Sequence, residues 1–172
     1  MIKYLTPRSE EELRSSFKKL TPEEKIEFGC VENIPWLVKD AIKEGANVNP
    51  RKYYFLTTAC RDGHKELAEI LLDAGANFNG HEKASLRLAV IQGYTEIVKL
   101  LIDRGMDIKE VEGSPLYVAC IHGYVEIVKL LINAGASIQS LYYATVIHSN
   151  PEIQKIILEK FKVDDKVFNT EI

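Results

Sequence analysis

The stretch "GYTEIVKLLIDRG" at residues 93–105 returns almost unchanged as "GYVEIVKLLINAG" at residues 123–135, thirty positions later. A repeat of fixed length is the signature of a chain built from stacked, equivalent units. The spacing continues outside these two stretches for glycine, leucine and alanine: Gly45, Gly75, Gly105 and Gly135; Leu56, Leu86 and Leu116; Ala59, Ala89 and Ala119. The sequence therefore predicts one domain made of repeated units.

One unit is clearest between residues 84 and 112. "ASLRLAVIQ" is an apolar segment of about two helical turns that ends before Gly93. "TEIVKLLIDR" has a wide apolar face and a narrow charged sector, which is the pattern of an amphipathic helix, and Thr95 is its predicted N-cap. Gly105 fits the left-handed position that follows a helix end. Each unit is thus predicted to be helix, turn, helix and loop, and the units must stack because neither helix buries its apolar face alone.

Composition limits the classes of function. The 172 residues are 46% hydrophobic, which is enough for a packed core. The formal net charge of −3 argues against nucleic-acid and anionic-membrane partners, which usually require a basic excess. The N-terminal residues become charged before any apolar run develops, and no stretch reaches the roughly 18 apolar residues of a membrane span. We therefore expect an intracellular, cytoplasmic protein.

The three cysteines occupy one position of the repeat. Cys30, Cys60 and Cys120 are separated by whole repeat lengths, and Val90 fills the same position in the remaining unit. A cysteine that alternates with valine behaves as a small buried apolar group. Packed helices lie about 8–10 Å apart, whereas a disulfide needs Cα atoms within about 7 Å, so we expect three free thiols.

The repeated unit resembles the ankyrin repeat family. The resemblance is carried by four stretches: "GHKELAEILLDAGAN" (63–77), "GYTEIVKLLIDRGMD" (93–107), "GYVEIVKLLINAGAS" (123–137) and "SPLYVACIHG" (114–123). It implies an all-α solenoid of stacked helix-turn-helix units with short loops, and a role in binding a protein partner. These units are shorter than the usual ankyrin unit, and the family's Thr-Pro-Leu-His motif is largely absent, so we expect a shortened finger loop. Short ankyrin units of this kind are also similar to those of large DNA viruses of amoebae.

The ends of the array differ from its centre. Thr21-Pro22-Glu23-Glu24 has the residues of a capping box with proline at the first helical position, and Asn150-Pro151 predicts a second capped start. The predicted organisation is an N-terminal capping helix at 1–20, an ankyrin repeat domain at 21–162 and a C-terminal tail at 163–172. The five predicted units are 21–50, 51–80, 81–110, 111–139 and 140–162.

The sequence offers no convincing catalytic group. Cys120 and His122 suggest a nucleophile and a base. However, the cysteine occupies a core position of the repeat, and residues two apart on a helix point away from each other. The histidines lack the spacing of zinc ligands, and the glycines are helix ends rather than a phosphate-binding loop. We therefore expect no enzymatic activity, no cofactor and no metal.

The positions that vary between units are the candidate binding residues. In ankyrin proteins the concave side usually contacts the partner, through the fingers and the ends of the first helices. By register the predicted partner-binding residues are Tyr53, Arg61, Asp62, Lys83, Ile91, Gln92, Ile121 and His122. Two isoleucines at a usually polar position would form an apolar patch, which often marks an interaction site. The alternative is that the short fingers fold over them.

Two other features suggest contacts. Trp36 lies in the register of glutamates that should face solvent, so it is either covered by the N-terminal helix or exposed as an anchor. The ending Thr170-Glu171-Ile172 resembles the peptides that PDZ domains bind by strand addition. The leading hypothesis is a monomeric, non-enzymatic module that binds a protein partner. The alternative is a structural protein that self-associates into a homo-oligomer.

Overall fold

The computed structural model describes residues 10–50, 54–78, 83–108, 115–137 and 150–168. The helices of these ranges, in chain order, are α1 (Glu10–Phe17), α2 (Pro22–Val31), α3 (Pro35–Lys43), α4 (Tyr54–Asp62), α5 (Lys65–Asp73), α6 (Ala84–Ile91), α7 (Thr95–Asp103), α8 (Pro115–Ile121), α9 (Val125–Asn133) and α10 (Pro151–Phe168). No helix in the described ranges is long and apolar enough to cross a lipid bilayer.

The helices form two layers. Helices α2, α4, α6 and α8 pack side by side in that order and make the first-helix layer. Helices α3, α5, α7, α9 and α10 follow each other in the second-helix layer. Four helix pairs therefore stack as predicted, and the all-α solenoid is confirmed. The first helix predicted for the fifth unit falls within 138–149, outside the described residues, and α10 continues to Phe168, beyond the predicted unit boundary at 162.

The core consists of the residues that repeat. Two sets of leucines that recur at the repeat spacing are at most 1% exposed: Leu56, Leu86 and Leu116 in the first layer; Leu71, Leu101 and Leu131 in the second. Burying one such side chain contributes about 1.5–3 kcal/mol relative to leaving it in water. One continuous core cluster contains all of these leucines, so each unit depends on its neighbours for burial.

At two junctions between neighbouring units, a tyrosine ring packs against the glycine in the turn of the preceding helix pair. Gly63, Gly93 and Gly123 have φ of +80°, +74° and +72°, the left-handed region that favours glycine. The Tyr94 ring lies against Gly63, and the Tyr124 ring lies against Gly93. A Cβ added at either of these two glycines would lie only 2.8 Å from the tyrosine Cζ atom. The turn of one unit is thus packed against the turn of the next.

One predicted helix start is wrong and two are confirmed. Thr95 is the first residue of α7, and its N-cap is Tyr94, which makes no side-chain capping bond. The helix instead begins after a tight turn at Gly93, in which the Thr95 N–H donates to the Gly93 carbonyl at 2.9 Å. Thr21 does form the predicted capping box with Glu24. The Asn150 Oδ1 atom accepts from the Glu152 N–H at 2.9 Å.

Helix α1 covers Trp36, as one of the two alternatives expected. The Phe17 ring lies 5.1 Å from the Phe28 ring and 6.0 Å from the Trp36 ring. The Arg14 guanidinium lies 4.4 Å from the Trp36 ring centroid and donates to Asp40 at 3.1 Å. Trp36 is therefore a half-buried contact of the N-terminal cap and not a free anchor.

The three thiols are free and buried, as predicted. Burial disfavours the charged thiolate and raises the pKa of Cys30 and Cys60 to about 12 and that of Cys120 to about 11. The thiolate is the reactive form of cysteine, so these thiols are poor nucleophiles in the folded chain.

The glycine–tyrosine contact predicts unequal losses from the same substitution. Gly123→Ala adds only left-handed strain, because no described atom lies within 4 Å of its added Cβ, and should cost about 1 kcal/mol. Gly105→Ala, where φ is +85°, should cost the same. Gly93→Ala must also displace Tyr124, so we expect at least about 1 kcal/mol more, measured by urea unfolding. The excess should shrink in a Tyr124→Ala background, and equal losses for Gly93→Ala and Gly123→Ala would contradict the contact.

The single tryptophan reports on the N-terminal cap. Phe17→Ala removes a ring that covers Trp36, so its fluorescence emission should shift to longer wavelength and acrylamide should quench it more strongly. Helix content by circular dichroism should fall little, since the core cluster of the repeats does not include Phe17. An emission spectrum that does not change would mean that α1 does not cover Trp36 in solution.

Burial also predicts slow thiol chemistry and a pH dependence of stability. A thiol reagent should find three thiols in the denatured chain and modify them slowly in the folded one; fewer than two free thiols would contradict the buried-core assignment.

The pKa values of the three thiols in the folded chain lie above the value of about 8.5 for an unfolded chain. Stability from the thiols is therefore complete below about pH 8.5 and declines as pH rises toward the folded pKa values. Cys30→Val, which copies the residue at position 90, should reduce this decline.

Candidate functional site

The exposed side of the first-helix layer carries two rows of side chains. The end row lies at the C-terminal ends of the first helices, and the middle row lies one helical turn earlier. The end row is Val31, Arg61, Ile91 and Ile121; the middle row is Glu27, Thr57, Arg87 and Tyr117. All eight side chains are exposed or half-buried. We call the surface formed by these two rows the first-helix face.

Three of the four side chains in the C-terminal half of this face are apolar, and the fourth is Arg87. Ile121 is 50% exposed and Tyr117 is 39% exposed, and the two lie four residues apart on one side of α8. Ile91 occupies the equivalent position on the adjacent helix α6 and is half-buried. We call Ile91, Tyr117 and Ile121 the apolar patch. The two predicted isoleucines therefore lie in one row on neighbouring helices, with Ile121 the more accessible.

Arg61 and Asp62 form a charged pair at the end of α4. Arg61 donates from Nε and Nη2 to the two carboxylate oxygens of Asp62, each at 2.7 Å. The hydrogen bonds from Arg61 lower the pKa of the Asp62 carboxyl, so it stays ionised. The pair presents planar hydrogen-bonding groups with no net charge at the centre of the face.

Gln92 and His122 extend the face beyond the end row. Both are exposed residues directly after α6 and α8. The His122 ring stacks on the Tyr124 ring with centroids 5.4 Å apart and planes 12° apart. His122 is thereby oriented by the same tyrosine that packs on Gly93.

The two predicted finger residues differ from the others. Tyr53 lies outside the described residues. Lys83 has φ of +51° and precedes α6, and its side chain is only 13% exposed. Its Nζ atom lies 3.6 Å from the Asp107 carboxylate of the following loop. The Lys83 side chain thus pairs with Asp107, which follows α7, and offers little surface to a partner.

Sequence reasoning missed two exposed residues of the face. Val31 is 52% exposed at the end of α2, in the register of Ile121. Tyr117 is the second missed residue. The repeat spacing could have identified Val31, and the spacing of one helical turn from Ile121 could have identified Tyr117. Val31 belongs to the first unit and Tyr117 lies one turn before the end of α8, whereas the predicted helix-end residues belong to the three central units.

The second-helix layer has a different surface. Its units are joined by exposed ion pairs: Lys39–Glu66 at 3.1 Å, Lys65–Glu96 at 3.2 Å, Arg104–Asp73 at 2.9 Å and Lys129–Glu152 at 3.1 Å. Exposed pairs of this kind contribute little to stability. These pairs place opposite charges of neighbouring units together, whereas Val31, Tyr117 and Ile121 leave large apolar side chains exposed on the first-helix face.

Cys120 and His122 do not form a catalytic pair. Cys120 is fully buried in the core, and its raised pKa keeps the thiol protonated. His122 is exposed and stacks on Tyr124 instead. The thiol is thus inside the stack and the imidazole outside, so the arrangement cannot transfer a proton between them.

Comparison with protein-family models gives a specific result. The model described as "Ankyrin repeats (3 copies)" matches residues 26–112 and again residues 85–142. Together the matches span 26–142, more than half of the 172 residues. A search of curated proteins returned no match. Ankyrin repeats generally serve as modules for protein–protein interaction. With the stacked helix pairs and the regular repeat register, this match shows that the chain belongs to the ankyrin repeat family.

Proposed function

We propose that this chain is a non-enzymatic binding module that recognises a partner protein through the first-helix face. One observation carries the proposal. Four large hydrophobic side chains are exposed in the described part of the chain, and three of them lie on this face: Val31, Tyr117 and Ile121. Exposed apolar side chains grouped on one surface often mark an interaction site.

The chemistry of the face supports this function. Aromatic and aliphatic side chains that lose water on binding supply most of the affinity of an interface, and a polar rim supplies orientation. Tyr117 and Ile121 are the candidate centre, with Ile91 beside them. Arg61, Asp62, Gln92 and His122 are the candidate rim. The helices beneath are held by the buried core, so the face needs little reorganisation on binding.

Self-association is a second candidate with its own observation. Leu158, the fourth exposed hydrophobic residue of the described part, is 44% exposed on α10 and lies away from the first-helix face. A second copy that packed on α10 would cover it. Light scattering of the purified chain distinguishes the two functions, because a monomer at high concentration favours the binding module. A dimer that Leu158→Glu dissociates would favour self-association.

The binding proposal predicts which substitution removes the partner. Ile121→Glu places a charge at the centre of the apolar patch, so affinity should fall by at least about tenfold, or roughly 1.4 kcal/mol. Half-buried Ile91 tolerates glutamate less well, which makes the single variant cleaner than a double one. The matched control is Leu158→Glu, which makes the same kind of change at similar exposure elsewhere.

The measurement has two steps. Affinity capture from the native cell, with each variant as bait, identifies proteins by mass spectrometry, and calorimetry then gives the dissociation constant of the purified candidate. Support requires a protein that wild type and Leu158→Glu retain and Ile121→Glu loses. A partner bound equally well by folded Ile121→Glu would contradict the first-helix face as the binding site.

A further inference from the structure

The first-helix face is acidic at its N-terminal end. Glu27, in the middle row of α2, and Glu32, the residue that directly follows α2, are both exposed. No salt bridge within the described part of the chain joins either carboxylate to another residue. Val31 lies between them and is 52% exposed. This end of the face therefore combines two carboxylates with an apolar side chain.

The charge changes along the face from one helix to the next. On α4, Arg61 and Asp62 neutralise each other through two hydrogen bonds of 2.7 Å. On α6, half-buried Arg87 occupies the middle row and is cationic. On α8 the same row carries Tyr117 of the apolar patch. The side chains of the middle row are thus acidic, neutral, cationic and apolar in order from α2 to α8.

We propose that the partner presents an extended segment with an apolar anchor for the patch and lysine or arginine residues that reach the carboxylates of α2. The inference rests on the proposed function and specifies its partner. Packed helices lie about 8–10 Å apart, so three steps from α8 to α2 span roughly 24–30 Å. An extended chain rises about 3.3 Å per residue and covers this span in about seven to nine residues.

Arg87 restricts how close a basic residue of the partner segment can lie to its apolar anchor. It lies on α6, between the two α8 residues of the apolar patch and α2, so a basic residue close to an anchor on α8 would face a like charge. A basic residue seven to nine positions away would instead face Glu27 and Glu32. Attraction at one end and repulsion at the centre together favour one arrangement of the segment over its alternatives.

A random library of 16-residue peptides displayed on phage tests this inference. Wild type should select peptides with an aliphatic or aromatic anchor and at least two basic residues about seven to nine positions from it. The charge-reversed variant Glu27→Lys/Glu32→Lys should select Asp or Glu at that spacing. The matched control Glu66→Lys/Glu96→Lys changes the net charge equally on the second-helix layer, and should select the same peptides as wild type.

Fluorescence anisotropy on the selected peptides gives the size of the effect. Affinity for wild type should fall at least about tenfold between about 50 mM and about 500 mM salt, because exposed charges are screened. It should fall at least about tenfold in Glu27→Lys/Glu32→Lys, and by a smaller factor in Glu27→Gln/Glu32→Gln. Circular dichroism and thermal melts check that each variant is folded.

The outcomes separate this inference from the proposed function. Peptides that need Ile121 but bind the charge-reversed variant equally well would overturn the basic segment and leave the binding face intact. Peptides that bind Ile121→Glu as tightly as wild type would contradict both. Selection of acidic peptides by wild type, or of no peptide at all, would overturn an extended basic segment as the partner and leave the proposed function to its own test.

Discussion

Burial between neighbouring units is the constraint on which the rest of this structure depends. Leu86 and Leu101, like their equivalents in adjacent units, are at most 1% exposed inside one continuous cluster. A helix pair of this size leaves one apolar side open unless another pair covers it. The residues that face a neighbouring unit must therefore be apolar. For this reason the same residue types recur at the repeat spacing along the sequence. What remains free to vary is the side of the first helices that no neighbour covers.

This division explains how a uniform scaffold carries a distinctive surface. The core leucines recur at equivalent positions, while the first-helix face changes from Glu27 on α2 to Tyr117 on α8. Such changes leave the packing of the layers intact, because these side chains lie outside the core cluster. Chemical differences along the face can therefore accumulate without loss of stability. Exposed side chains of the second-helix layer instead form ion pairs between units, such as Lys65–Glu96.

Much of the fold could be predicted from the sequence, because the same helix and turn pattern occurs in several units and each occurrence supports the others. The helix pairs, the buried thiols and the capping box at Thr21 all follow from spacing and residue type. The site was less predictable. The same residue type gave a half-buried Ile91 and a 50% exposed Ile121, because accessibility depends on the residues of adjacent units. Local propensity also misplaced the N-cap at Thr95, where a glycine turn decides the direction of the chain.

The contact between Tyr124 and Gly93 has a consequence for how such a chain can lengthen. The unit at 81–110 supplies both halves of the contact: Gly93 leaves room for the Tyr124 ring of the next unit, and the Tyr94 ring fills the room left at Gly63 of the previous one. A duplicated segment of one full repeat would therefore bring both halves of the contact and fit between existing units at either junction. An insertion of any other length would leave a tyrosine ring with no glycine to pack against, or a glycine with no tyrosine ring to cover it. Growth by whole copies is thus the route that this turn geometry permits, and the near-identical stretches at 93–105 and 123–135 are one repeat length apart.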